Sequence, residues 1–320
     1  MSQQARNSAP AFAWLVIALI LLAMPLSAQA GTLMLENGPF ARTLNLPVYQ
    51  WQDPQQSPKV AVIAIHGVSM HGTVFDEVAR RLAADGAVVV APDLPGYGAW
   101  KSAGKAARFN YKETEKDLCA LVSAVRARYH GIPVFVAGES LGGSIAIRLA
   151  ATHPDLVDGL ILCAPAIKIY HSVHRQTLTD AAIALAKHDH ELDMSEFIKN
   201  DYSDDAAITE EEMHDPLVRK QLGMDEVLST CEVIATTERY IKKIAANVPV
   251  LVLQGQKDQM VKPVGVKLLI SHLKTQNKSV RVFPDRGHIL IETKHVRPDT
   301  MSTILSWVNS QCALIASARP

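Results

Sequence analysis

Residues 133–144 read PVFVAGESLGGS, and this segment sets the architecture that we expect for the rest of the chain. The apolar run Pro133–Ala137 predicts a buried strand, and Ser144–Thr152 predicts a helix. The pattern G-x-S-x-G lies between them, at Gly138, Glu139, Ser140, Leu141 and Gly142. Between a strand and a helix, this pattern is typical of a nucleophile elbow, a sharp turn that exposes a serine hydroxyl at a sheet edge. Ser140 is therefore a candidate nucleophile.

Strands and helices alternate on both sides of this turn. We expect strands at Val60–Ile65, Ala87–Ala91, Pro133–Ala137, Leu156–Cys163, Val250–Gln254 and Val280–Phe283. We expect helices at Val74–Ala84, Thr114–Tyr129, Ser144–Thr152, Val264–Leu273 and Thr300–Val308. Because the strands are apolar throughout and helices join them, the pattern predicts an α/β fold with a mostly parallel, doubly wound sheet.

One long segment interrupts the alternation. Residues 166–247 contain no convincing strand, whereas residues 31–165 and 248–320 carry the strands of the core. The segment's predicted features are helices over Leu178–Lys187 and Leu228–Ile244, and a helix with an acidic start that is capped by Thr209. Open α/β sheets bind ligands at the carboxyl ends of their strands, so we expect this segment to form a helical lid there.

A serine nucleophile needs a base, and the base needs a partner that orients it. In a nucleophile-elbow fold the acid and the histidine follow the serine in that order. Asp258 follows the predicted penultimate strand, and His288 follows the last one. These positions predict Ser140, Asp258 and His288 as a catalytic triad. Asp285 is a rival acid, but its position three residues before His288 favours a role in shaping the turn.

An oxyanion formed at the serine needs two preorganised hydrogen-bond donors. We expect one to be the backbone N–H of Leu141, next to the nucleophile. The other is predicted in the loop after the first core strand, at the N–H of Val68. Gly67 allows this backbone to approach closely. We expect His66 to bond the loop backbone rather than act as a second base.

Composition narrows the classes of function. The 320 residues include 32 basic and 32 acidic side chains, which argues against a strongly basic nucleic-acid binder. The histidine-rich stretches at His171, His174, His188 and His190 fit exposed polar helix positions better than metal ligands. We therefore expect neither a metal nor a nucleic-acid partner.

The first thirty residues resemble a secretory signal. Arg6 precedes an uncharged apolar run from Ala11 to Met24, and Ala28-Gln29-Ala30 supplies a small-x-small cleavage pattern. We expect export to the periplasm or medium after cleavage near Ala30; the alternative is an uncleaved membrane anchor. In an oxidising compartment the four cysteines, Cys119, Cys163, Cys231 and Cys312, could pair in three ways or remain buried free thiols.

Several of these motifs together resemble the α/β-hydrolase superfamily, and most closely its monoacylglycerol lipase and lysophospholipase branch, which also contains serine aminopeptidase-like members. The matching segments are His66-Gly67, residues 138–143, residues 253–258, Gly287-His288 and Asp215-Pro216-Leu217-Val218. The resemblance implies the same triad, with an apolar acyl groove under the lid. One departure is Glu139, where the family usually has histidine or another residue. Its carboxylate either perturbs the pKa values of the site or points to solvent.

The resemblance implies a serine hydrolase that cleaves carboxylic esters through an acyl-enzyme and needs no cofactor. The implied substrates are monoacyl lipids, such as monoacylglycerols or lysophospholipids, or related small esters, with transient contact between the lid and a membrane surface. One alternative keeps the triad and cleaves amides or peptides, because fold and triad alone do not separate the two. A less favoured alternative is a binding protein that uses the scaffold without catalysis.

Overall fold

The computed structural model describes residues 33–36, 38–100, 108–170, 191–195, 198–199 and 203–318. The expected signal segment, the expected helix Leu178–Lys187 and the four histidines between His171 and His190 lie outside these residues. Within the described ranges, no helix is both long enough and apolar enough to cross a bilayer.

The core is one sheet in which eight described strands follow the order β1-β2-β4-β3-β5-β6-β9-β10. Their bounds are β1 Leu33–Glu36, β2 Val48–Gln52, β3 Val60–Ile65, β4 Ala87–Pro92, β5 Val134–Glu139, β6 Gly159–Cys163, β9 Val250–Gly255 and β10 Lys278–Phe283. The β1–β2 and β2–β4 pairs are antiparallel, and the pairs from β4 to β10 are parallel. The predicted α/β class with a mostly parallel sheet is confirmed.

Helices cover both faces of this sheet. Their bounds are α1 Pro39–Leu44, α2 Asp76–Ala84, α3 Tyr111–Arg128, α4 Leu141–Thr152, α5 Ala206–His214, α6 Met224–Ile241, α7 Pro263–His272 and α8 Pro298–Ser317. Strand β3 shows why two layers form, because its successive side chains point to opposite faces. Ala61, Ile63 and Ile65 pack in the core that includes α3, α4 and α6. Val60, Val62 and Ala64 pack in the core that includes α2 and α8.

The segment between β6 and β9 differs from the sequence prediction in two respects. It contains a short antiparallel pair, β7 Glu191–Asp193 and β8 Gln221–Gly223, so the expectation of no strand was wrong. Strands of three residues are too short to produce a readable alternation. The predicted cap at Thr209 was also wrong, because α5 begins at Ala206 and the Asp205 side chain accepts from Ala207 N at 2.9 Å. Aspartate ranks with the strongest N-caps.

The four cysteines occur as free thiols, although only one of them is buried as the sequence alternative expected. Cys163 is buried at the end of β6, Cys119 and Cys312 are half-buried, and Cys231 is exposed.

Candidate active site

Ser140 occupies a strained turn between β5 and α4. Its φ and ψ angles are 54° and −118°. A non-glycine residue in such a conformation costs about 1–3 kcal/mol and persists only where its surroundings fix it. Here Ser140 N donates to Cys163 O at 3.0 Å, and Ser140 O accepts from Ala166 N at 3.0 Å. The loop after β6 therefore holds the serine backbone in place.

The two glycines of the motif are required by close backbone contacts. A Cβ atom on Gly142 would lie 1.9 Å from the carbonyl oxygen of Ile65, at the end of β3. A Cβ atom on Gly138 would lie 2.4 Å from the carbonyl carbon of Gly142. Real Cβ atoms do not approach main-chain atoms this closely, so the turn forms only with glycine at both positions.

The sheet topology places this turn where a doubly wound fold binds ligands. Strands β3 and β5 are neighbours, yet β4 lies beyond β3 and β6 lies beyond β5, so the chain winds in opposite directions from this point. Ligand crevices form outside the carboxyl ends of strands at such a switch point. Ser140 follows β5 at this edge. Asp258 and His288 follow β9 and β10, which run parallel to β5, so they come to the same edge.

Asp258 and His288 form a buried pair. The distance from His288 Nδ1 to Asp258 Oδ2 is 2.9 Å. Asp258 also accepts from Gln254 Nε2 at 2.8 Å and from the N–H groups of Met260 and Val261. With Nδ1–H donated to the carboxylate, the proton-free nitrogen of a neutral imidazole is Nε2. Within the described part of the chain, Nε2 is buried and makes no hydrogen bond.

The pair shifts both pKa values in the direction that a base and its partner need. Burial works against ionisation of Asp258, but the hydrogen bond and the charge of His288, together with two backbone N–H groups, bring the pKa of Asp258 below its usual range. Burial also disfavours the imidazolium of His288, but the bond to Asp258 and the charges of Asp258 and Glu139 raise the pKa of His288 above 6.5. The pair therefore favours a proton on His288.

The loop after β3 lies beside the serine. Val68, Ser140 and Leu141 line one cavity, so the two residues predicted to supply the oxyanion donors border the same space as the serine. His66 is buried, and its Nε2 accepts from Leu94 N at 2.9 Å while Nδ1 lies 2.8 Å from Gly67 O. Burial lowers the pKa of His66 to about 3, so this side chain is neutral and fixes loop backbone.

The cavity beside Ser140 has a volume of about 240 Å³ and is mostly apolar. Its far wall comes from the segment between β6 and β9, which contributes Leu192, Leu222 and Val227. No group of three or more possible metal ligands occurs among the described residues. The arrangement suits an apolar chain that ends at the serine.

A sequence profile of the serine aminopeptidase S33 family matches residues 56–294. This chain belongs to that family. Human monoglyceride lipase is 27% identical over 270 residues, which cover 83% of this chain and 88% of the relative. Monoacylglycerol lipase of Mycolicibacterium smegmatis is 27% identical over 267 residues, which cover 81% and 92%.

Solved structures agree on the fold of this S33 family member. The monoacylglycerol lipase of Paleococcus ferrophilus superposes with a TM-score of 0.68 at 22% identity, covering 83% of this chain and 99% of that one. A thermostable carboxyl esterase from Bacillus coagulans superposes with a TM-score of 0.68 at 21% identity. The superposition covers 88% of this chain and 98% of the esterase. The architecture is the α/β-hydrolase fold.

Glu139 does not point to solvent, so that alternative was wrong. Its side chain is fully buried and accepts the N–H groups of Leu290, Ile291 and Glu292 at 2.7, 3.1 and 2.8 Å. Its charge contributes to the raised pKa of His288, which is the other alternative. Sequence reasoning missed a second buried carboxyl, Glu292, which accepts from Gly67 N at 2.6 Å.

The segment between β6 and β9 is tied to the loop after β3. Arg219 N donates to Ser69 O at 2.8 Å, and the Arg219 guanidinium forms two 2.6 Å hydrogen bonds with the buried carboxylate of Glu226. Asp215 Oδ2, in the segment Asp215–Val218 that carries part of the resemblance, lies 3.4 Å from Nε2 of the buried His71. These contacts link the position of the segment to the loop that carries Val68.

Proposed function

We propose that this protein is a serine carboxylic-ester hydrolase that acts on monoacyl lipids, such as monoacylglycerols or lysophospholipids, or on related small esters. The observation that carries the proposal is the position of Ser140, in a strained elbow on the wall of an apolar cavity. Val68 and Leu141 line the same cavity, and the buried His288–Asp258 pair lies at the same sheet edge. Relatives that are named monoglyceride lipases support the substrate class.

The proposed reaction has two halves. Ser140 Oγ attacks the ester carbonyl while His288 Nε2 takes the hydroxyl proton, and the N–H groups of Leu141 and Val68 hold the oxyanion. The C–O bond to the alcohol then breaks, and His288 returns the proton to the leaving oxygen. In the second half, water gives a proton to His288 and attacks the acyl-enzyme. The bond from the acyl carbon to Ser140 Oγ then breaks, the fatty acid leaves, and His288 returns the proton to Oγ.

The size of the cavity favours a single acyl chain. Its 240 Å³ lies below the roughly 300–1,000 Å³ of sites that enclose drug-sized ligands. An acyl chain can lie along such a space with its ester group at Ser140.

We further propose that residues 166–247 act as a lid that touches a membrane surface when the substrate enters. Two exposed apolar side chains of this segment support the contact, Tyr170 at 43% and Leu228 at 56% exposure.

The signal-like residues 1–30 support export to the periplasm or medium, with cleavage near Ala30. The alternative location is a membrane to which an uncleaved N-terminus anchors the enzyme.

A second candidate is an amide or peptide hydrolase with the same triad. The family description, serine aminopeptidase, favours it. Turnover of an ester and of the amide with the same acyl group separates the two. A ratio of kcat/KM that favours the amide would replace the ester proposal.

The test is hydrolysis of p-nitrophenyl esters from acetate to palmitate, and of a monoacylglycerol, by the wild type and Ser140→Ala. We expect turnover that peaks at medium or long chains and disappears in Ser140→Ala. Ser144→Ala is the matched control, because this serine lies one turn along α4 and its hydroxyl bonds only to Ala166 O within the described residues. Turnover that peaks at acetate would restrict the proposed substrates to small esters. Absence of turnover in the wild type would refute the proposal.

A further inference from the structure

Two buried carboxyl groups lie behind the candidate triad, and neither belongs to it. Glu139 is fully buried and Glu292 is 1% exposed. Glu139 Oε1 accepts from Leu290 N, and Oε2 accepts from the N–H groups of Ile291 and Glu292. Glu292 Oε1 accepts from Gly67 N at 2.6 Å. Burying two carboxyl groups is costly unless hydrogen bonds compensate, so the pair calls for an explanation.

The pair joins the three loops that carry the proposed chemistry. Glu139 directly precedes Ser140 in the elbow. The N–H groups that it accepts begin two residues after His288, so its carboxylate holds the loop that carries the imidazole. Glu292, at the end of that run, reaches the residue before Val68. A single chain of contacts thus runs from the nucleophile to the histidine loop and on to the oxyanion loop.

The contacts differ between the two carboxyl groups, and the difference favours a negative charge on Glu139. Glu139 receives three N–H bonds and interacts with the His288 imidazole, although burial raises its pKa. Glu292 receives one N–H bond, and its Oε2 has no hydrogen-bond partner within the described residues. Burial and the charge of Glu139 raise the pKa of Glu292 well above its usual range. Two other titratable groups interact with the pair, the Cys163 thiol and Glu212 of α5.

We propose that Glu139 and Glu292 form a buried pair with one negative charge, carried by Glu139, and that the pair positions His288 and the Gly67–Val68 backbone against Ser140. Both are positioning residues, because they act through the loops that they hold. The inference deepens the proposed function and rests on Ser140 being its nucleophile.

Three substitutions test the pair. Glu139→Gln removes the charge and leaves at least one backbone N–H facing an amide NH₂ group. We expect kcat to fall roughly tenfold to a hundredfold, because small displacements of a catalytic group are expensive, while KM changes little. Loss of the charge also lowers the pKa of His288, so the acidic limb of kcat/KM moves to lower pH. Glu139→Asp keeps the charge on a shorter side chain, so its limb stays at the wild-type position while kcat falls.

Glu292→Gln is the matched control for the location of the charge. A glutamine copies a protonated glutamate and still accepts from Gly67 N, so the acidic limb of kcat/KM does not move. The pH profile of kcat/KM of each variant is normalised to its own maximum. The midpoint of its acidic limb is therefore independent of the fraction of the variant that folds. A limb that moves in Glu292→Gln and stays in place in Glu139→Gln would place the charge on Glu292 and overturn the proposal.

A spectroscopic readout separates failure of the pair from failure of the proposed function. The downfield NMR resonance of the His288 Nδ1 proton, assigned by its loss in His288→Gln, reports the same pKa without substrate. We expect its midpoint to fall in Glu139→Gln and to stay in place in Glu292→Gln. If the two NMR midpoints behave as expected but no ester is cleaved, the proposed carboxyl pair is supported and the proposed ester hydrolase function is refuted. If turnover depends on Ser140, but Glu139→Gln changes neither the acidic limb of kcat/KM nor the midpoint of the His288 resonance, the proposed function is supported and the carboxyl pair is refuted.

Discussion

Replacing Asp258 by asparagine is a sharp test of how His288 is oriented. Asp258 Oδ1 accepts the N–H groups of Met260 and Val261, which keeps the oxygen of an asparagine on that side. The NH₂ group then takes the place of Oδ2, 2.9 Å from His288 Nδ1. To accept from this NH₂, Nδ1 must give up its proton, and the proton moves to Nε2. A protonated Nε2 cannot take the proton of Ser140.

The expected loss in kcat/KM is about 10⁴-fold, as for the wrong tautomer in other serine triads. This factor corresponds to about 5.4 kcal/mol of transition-state stabilisation. The NH₂ group of the asparagine also faces the Gln254 amide, which donates to Oδ2 at 2.8 Å in the wild type, so we expect a small additional loss of stability. Circular dichroism during thermal unfolding measures that part separately.

The assay is kcat/KM for a p-nitrophenyl ester of optimal chain length at a pH above the acidic limb. Asp285→Asn is the matched control, because Asp285 is half exposed and pairs with Arg297 at 3.0 Å rather than with the imidazole. We expect kcat/KM of this control to stay within about twofold of the wild type, because the exposed ion pair that it loses contributes little. A loss below tenfold in Asp258→Asn, or an equal loss in both variants, would refute the assigned orientation of His288.

Three further predictions follow from the same structure. Gly142→Ala forces a methyl group to within 1.9 Å of a main-chain oxygen of β3, so we expect at least 1–3 kcal/mol of destabilisation in denaturant titrations together with loss of turnover. Turnover needs neutral His288, whose pKa is raised, so kcat/KM falls as the pH decreases through a midpoint above 6.5; a midpoint below 6.5 would contradict the raised pKa. Arg219→Ala leaves the fully buried Glu226 of α6 without its cation, so we expect a loss of about 3 kcal/mol in thermal unfolding. Arg108→Ala removes an exposed pair with the neighbouring Asp225 and costs less than about 1 kcal/mol; equal losses would contradict the difference in burial.

The parallel core was predictable because its strands are continuous apolar runs. Strand β3 has the predicted bounds, Val60–Ile65, and β9 extends one residue beyond the predicted Val250–Gln254. The antiparallel strands β1 and β2, at one end of the sheet, were not predicted. β2, Val48–Gln52, mixes polar and aromatic side chains, so it lacks the apolar run by which the core strands were recognised.

Helix ends were less predictable than helix centres. α8 continues to Ser317, nine residues past the predicted end at Val308, because its later turns are exposed on one side and carry a weaker apolar pattern. α4 begins at Leu141 rather than at Ser144, because the elbow leads directly into the helix. In that case the tertiary turn, and not local propensity, sets the first residue.

The residues of the candidate site also differ in how far the sequence could predict their positions. Ser140, Asp258 and His288 each follow a readable strand, so topology alone brought them to one sheet edge, and their catalytic roles remain a prediction. Glu139 and Glu292 could not be assigned in this way. Their hydrogen bonds join residues that lie 151 to 225 positions apart in the chain, and no local spacing encodes such contacts.

The identity of the nucleophile is tested most directly by covalent trapping with an alkyl fluorophosphonate. The serine oxygen bonds to phosphorus and fluoride leaves, so each reactive serine gains one adduct. Mass spectrometry should find one adduct per chain, on Ser140 within the tryptic peptide 129–148, and none in Ser140→Ala. An adduct on any other residue, or an unlabelled protein that still hydrolyses esters, would contradict the assignment of Ser140.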